Sequence, residues 1–184
     1  MLHAADDLLV ERGFTGLTIE GIAQRAGVAK QTIYRWWKSK VDILLDTLID
    51  DAREALEWRT DDAASTEENL ASHLRRVADF FDEPAGQVLQ ALLGQAQLDS
   101  ETAASLREGF LKEQRERDVA GLRELLGRDD ITVDDRTLDH LVDVLLGPLY
   151  YRVLVFGAPS DKELLDSTTR LVVALARESS STSS

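Results

Sequence analysis

Apolar residues recur along this chain at spacings of three and four, and no segment alternates steadily between hairpin-turn signals, a pattern that predicts an all-α fold. The spacing predicts nine helices. The first covers about 2–12 and stops at Gly13; the second starts after Thr18, a good N-cap, and turns Ile19, Ile22 and Ala23 inward. The third runs over about 30–37. The fourth opens on Ser39, with Asp42 completing a capping box, and carries the stripe Val41, Leu44, Leu45, Leu48, Ile49, Ala52 and Leu56. A polar connector, 59–66, follows. Helix five runs over about 65–81 with Ser65 and Glu68 as a second capping box, helix six follows Pro84, and helix seven spans about 101–126 before Gly127. Helix eight, about 135–156, is apolar around much of its circumference, and its Gly147-Pro148 pair predicts a kink. Ser160 with Glu163 predicts a third capping box, opening helix nine with its stripe of Leu164, Leu165, Leu171, Val172 and Leu175. Residues 179–184 read as a disordered tail.

Composition narrows the function classes. The 184 residues include no cysteine, which excludes disulfides, thiolate metal sites and a cysteine nucleophile, and makes the cytoplasm the default location. No apolar run reaches the roughly 18 residues of a membrane span, so no membrane partner is expected. A net charge of -13 argues against a polyanionic partner until its distribution is considered. Between positions 12 and 40, Arg12, Arg25, Lys30, Arg35, Lys38 and Lys40 face only Glu20, a local charge of +5 that leaves -18 elsewhere. One end of the molecule suits an anion.

That basic stretch also holds two short helices around Gly27, the anatomy of a helix-turn-helix. Ala23 is small where the helices cross, Gly27 permits a positive backbone angle, and Val28 and Ile33 fill the core between them. Lys30, Gln31, Thr32, Tyr34 and Arg35 are then outward on the third helix, types able to bond phosphates or base edges in a major groove. This gives a DNA-binding domain over 1–45, a second helical domain over 46–178, and the tail 179–184.

The residues Thr18, Ile22, Ala23, Ala26, Gly27, Val28, Thr32, Ile33, Tyr34, Ser39 and Lys40, in this order and spacing, resemble the signature of the TetR family of repressors. Ala29, Trp36 and Trp37 depart from it, and Ala29 weakens the third helix's cap. The resemblance implies phosphate contacts from Thr18, Thr32, Tyr34 and Lys40, with base reading by Lys30, Gln31 and Arg35. It also implies a homodimer through the last two helices, with Leu138, Leu141, Val142, Leu145, Leu149, Leu164, Leu171 and Leu175 at the seam. The partner DNA is then a near-palindromic double-stranded operator. A small-molecule effector is expected to release it, with Phe80, Phe81, Leu92, Gln95, Phe110, Gln114, Tyr150 and Tyr151 as candidate pocket residues. A family member's basic arm before helix one has no counterpart here, so it is either missing or lies outside this sequence.

Blander readings compete at several positions. Trp37 reads as bundle core, whereas Trp36 is evenly divided between packing and DNA contact. His3, His73 and His140 lie far apart without Glu-x-x-His spacing, so no metal site is expected, and no cofactor either. The acidic pairs at 61–62, 129–130 and 134–135 read as solvated helix ends. No segment supplies a nucleophile, base and oxyanion donors together, so an enzyme is not expected.

Overall fold

A computed structural model describes residues 2–182. Among the described residues there is no strand. The α-helices are α1 (Leu2–Gly16), α2 (Ile19–Ala26), α3 (Lys30–Tyr34), α4 (Lys40–Ala55), α5 (Thr66–Asp82), α6 (Pro84–Ala96), α7 (Ser100–Leu106), α8 (Lys112–Gly127), α9 (Asp135–Tyr150) and α10 (Lys162–Thr182). A π-helical turn, Arg107–Leu111, joins α7 to α8, and a second, Tyr151–Val155, extends α9. The described residues therefore form nine helical runs, the number the spacing predicts.

Local chemistry explains most boundaries. Gly13 (φ 67) interrupts α1 where the first helix was expected to stop. Ser39 and Asp42 form the expected reciprocal box, with Ser39 N donating to Asp42 Oδ2 at 2.9 Å and Asp42 N to Ser39 Oγ at 3.2 Å. Ser65 and Glu68 form the second at 2.8 and 3.2 Å. The third box does not form. Asp161 caps α10 instead, accepting from Leu164 N at 2.8 Å, because its carboxylate reaches the first free amides from one residue nearer. The helix runs through the Gly147-Pro148 pair, and a π turn follows directly. The expected tail is helical as far as Thr182, and positions 183–184 lie outside the described residues.

Packing divides the chain into two compact units. The first comprises Met1–Ala55 with Phe80–Glu113, the second Leu56–Asp79 with Gln114–Ser184. This differs from a sequential cut at 45, because α6 packs on both α1 and α4 and buries Val88, Leu89 and Leu92 in the first unit. In the second unit α9 packs along α10. Leu138, Leu141, Val142, Leu145 and Leu149, expected at a dimer seam, are at most 3% exposed within this single chain. They fill the subunit's own core. Of the other three, Leu164 and Leu175 are half-buried and Leu171 is half-exposed.

Candidate nucleic-acid interface

The first unit builds a rigid turn from backbone chemistry. Thr18 caps α2 by accepting from Gly21 N at 3.1 Å, and α2 buries Ile19, Ile22 and Ala23. Its other end closes in a Schellman motif: Val28 N donates to Ala23 O at 3.0 Å and Gly27 N to Gln24 O at 3.3 Å. Gly27 sits at φ 67, ψ 28, a left-handed conformation that a side chain makes costly. Ala29 then opens α3 with no side-chain cap, as its lack of a hydroxyl predicts.

Helix α3 is one short turn and a half, ending at Tyr34 rather than Trp37. Ile33 is fully buried and anchors the turn, so Lys30, Gln31, Thr32, Tyr34 and Arg35 are left facing solvent, as is Thr18 at the cap of α2. Trp36 is 70% exposed with the Arg35 guanidinium 5.9 Å from its ring centre, which removes the packing alternative for this residue. Trp37 corrects the expectation of core: it is half-buried, and its indole Nε1 donates to Asp46 Oδ2 at 2.7 Å. An indole with a polar end prefers such an interfacial position.

The basic cluster is less free than its charge count suggests. Arg25 makes a two-pronged pair with Glu11 at 3.0 and 2.6 Å. Lys30 is hydrogen-bonded to Glu20, which raises the lysine pKa and lowers the glutamate's, and it also lies 5.3 Å from the Tyr34 ring centre. Arg12, Arg35 and Lys38 make no ion pair among the described residues.

Lys40 departs most from its expected role. Its Nζ donates to the carbonyls of Phe14 and Leu17, at 2.5 and 3.1 Å, and lies 4.1 Å from the Phe14 ring centre. Burial lowers its pKa. The ammonium therefore ties the start of α4 to the segment that leaves α1, and phosphate has to compete with two carbonyls for it. Lys40→Ala is expected to cost about 2 kcal/mol of stability, the worth of hydrogen bonds from a charged donor. Urea unfolding checks this, and an unchanged midpoint would return Lys40 to a pure phosphate role.

Comparisons with known proteins agree with this geometry. The model for bacterial regulatory proteins of the tetR family matches residues 1–47, and the tetracyclin repressor-like C-terminal domain matches residues 60–172. The chain belongs to the TetR family. It is thus a DNA-binding transcriptional regulator and not an enzyme. The HTH-type regulator YdeS of Bacillus subtilis, itself uncharacterised, is 31% identical over 173 residues, 94% of this chain and 84% of YdeS. The TetR-family regulator SCO0332 is 30% identical over 94% of both chains, with a TM-score of 0.75. FadR from Bacillus subtilis, whose crystal structure is a complex with stearoyl-CoA, shares the fold at 23% identity, 95% coverage of both chains and a TM-score of 0.64.

The expected effector residues of this TetR-family chain have mixed fates. Phe80, Phe81, Leu92 and Phe110 are buried in the first unit's core, and Gln95 is partly exposed there. Tyr151 corrects the expectation: 57% exposed, it stacks edge-on against Phe156 at 5.1 Å instead of lining a pocket. Gln114 belongs to a buried polar cluster in the second unit that sequence reasoning missed. There Asp118 Oδ1 accepts from Gln114 Nε2 at 3.0 Å and from Trp58 Nε1 at 3.1 Å, and Trp58 stacks on His73 at 3.9 Å. Both His73 ring nitrogens are buried without a hydrogen-bond partner, with Nε2 3.9 Å from Asp118. Burial lowers His73 to about 3 and raises Asp118 to about 6; Tyr150, partly exposed yet strongly desolvated, is pushed above the ordinary phenol range. Histidine at 73 and aspartate at 118 are 45 positions apart, so no local spacing signals their meeting.

Proposed function

We propose that this regulator is a repressor that binds a near-palindromic operator as a homodimer and is released by a small-molecule effector. The observation carrying the operator reading is the outward row on and just after α3: Gln31, Thr32, Tyr34, Arg35 and Trp36 are exposed, and Arg35 makes no ion pair among the described residues. Lys30, Gln31 and Arg35 read bases, while Thr18, Thr32 and Tyr34 hold phosphates; Lys40 contributes chiefly by fixing α4. Lys30 is available to DNA only after leaving Glu20, which makes its contribution smaller than that of Arg35.

Dimerisation rests on exposed apolar residues of the second unit: Val155 at 65% and Phe156 at 63% at the end of the α9 extension, and Leu171 at 50% on α10, which also carries the half-buried Leu164 and Leu175. Exposed apolar residues of this kind suit contact with a second copy. For the effector, the support is the polar cluster of Gln114, Asp118, His73 and Tyr150: desolvated titratable groups concentrate at functional sites. Effector binding shifts the population away from the DNA-competent conformation by differential affinity.

Selection of bound sequences from a random DNA pool by the full chain tests the reading. An enriched near-palindrome supports it, and absence of enrichment at low salt sinks it. With that site as probe, Arg35→Ala is expected to lose about 1–3 kcal/mol and to relax preference at one base position. Tyr34→Ala weakens all sequences alike. Anisotropy titrations against single-base variants of the site distinguish the two; equal, uniform losses contradict the role given to Arg35.

A further inference from the structure

The first unit holds a group of side chains that DNA binding leaves unused. His3 and Asp6 lie one turn apart on α1, and Asp51 meets them from α4, with one potential ligand atom from each all within 4.8 Å of one another. Acids facing water need no explanation. Asp6, however, is 3% exposed, and its Oδ1 is buried with no hydrogen-bond partner. An unpaired buried carboxylate is costly, and a second carboxylate beside it adds repulsion. A positive group at this point removes both penalties.

We propose that His3, Asp6 and Asp51 bind one divalent first-row transition ion, which clamps α1 to α4. The donor set decides the class of ion. An imidazole with two carboxylates suits Zn²⁺, Mn²⁺ or Fe²⁺, whereas Ca²⁺ and Mg²⁺ favour all-oxygen shells. Three protein ligands leave coordination positions for water. Ligands about 2.1 Å from an ion stand roughly 3 Å apart, so the exposed His3 and Asp51 side chains close onto the fixed Asp6 by up to about 2 Å. Their exposure also provides the entry path. The ion compensates the buried Asp6 carboxylate and joins two helices that pack against each other in the DNA-binding unit. Histidine spacing alone does not reveal this site, because its three ligands are an i, i+3 pair and a residue from another helix.

The test uses the tag-free full chain, stripped with a chelator and titrated with zinc or manganese chloride. Calorimetry is expected to give one ion per subunit. Thermal unfolding is expected to rise by roughly 5–10 °C at an ion concentration about a hundredfold above the dissociation constant, with a smaller rise in magnesium chloride. Asp6→Asn preserves volume and removes the buried charge, so it folds; it is expected to lose at least about tenfold in ion affinity, and the thermal rise with it. His3→Gln, at an exposed position, gives the same loss without touching the core. No thermal rise with either transition ion overturns the proposal, as does a rise that survives unchanged in both variants.

Discussion

Asp118→Asn is expected to stabilise the protein by about 3 kcal/mol at pH 7.5, although it deletes a charge that accepts two hydrogen bonds. Asp118 is 4% exposed, and its desolvation outweighs the donors Trp58 and Gln114 and the more distant Arg117 and Arg115, so that its carboxyl titrates at about 6 instead of 3.8. A raised carboxyl pKa means that the folded state holds its proton longer than the unfolded chain. The associated stability is complete below 3.8 and is lost as pH rises through about 6. At pH 7.5 the folded protein carries the full penalty, and an amide removes it while Oδ1 still accepts from Trp58. His73 runs in the opposite sense. Its depressed pKa gives stability that is complete above 6.5 and lost as pH falls toward about 3. In the parent chain the two slopes largely offset each other between about 4 and 6. The variant keeps only the histidine slope, so its advantage shrinks to near zero by pH 4. Urea unfolding at pH 4, 5.5 and 7.5 measures this, and a variant less stable than the parent at pH 7.5 would show that the carboxylate's hydrogen bonds dominate its burial.

Gly86→Ala is expected to destabilise by about 3 kcal/mol or more, at the upper end for overpacking. A Cβ at this position falls 2.0 Å from Phe80 O and 2.5 Å from Phe81 Cα, both backbone atoms that no rotamer change moves aside. The start of α6 has to lift away from the end of α5. Because α6 also packs on α1 and α4, the helices around the DNA-reading turn lose part of their support. Operator affinity is therefore expected to fall with the melting temperature, and to recover when the assay is cooled well below it. A variant with unaltered melting would mean that the two helices separate freely, and that this close approach carries no stability.

The helix-turn-helix geometry was legible because it is local. Thr18, Gly27 and Ile33 act through hydrogen bonds, backbone angles and a buried contact within a few residues, so their order in sequence is their order in space. The capping boxes at Ser39 and Ser65 were legible for the same reason, and the shift to Asp161 shows the limit of such reasoning to within one residue. Lys40 shows a different limit. Its spacing after the turn marks it as important, but whether its ammonium faces a phosphate or the carbonyls of Phe14 and Leu17 depends on where α1 ends relative to α4. Leu138, Leu141 and Val142 fail similarly, because helical periodicity identifies an apolar face without saying whether the same chain or another covers it.

By itself the sequence determined the helical count, the helix-turn-helix and the family, since each depends on spacing along one or two adjacent helices. Only the tertiary structure decided which cations are already paired, which carboxylates are buried, and that His73 meets Asp118 and Asp6 meets Asp51. The cost of a buried charge depends on what surrounds it in space, and those neighbours come from helices far apart along the chain.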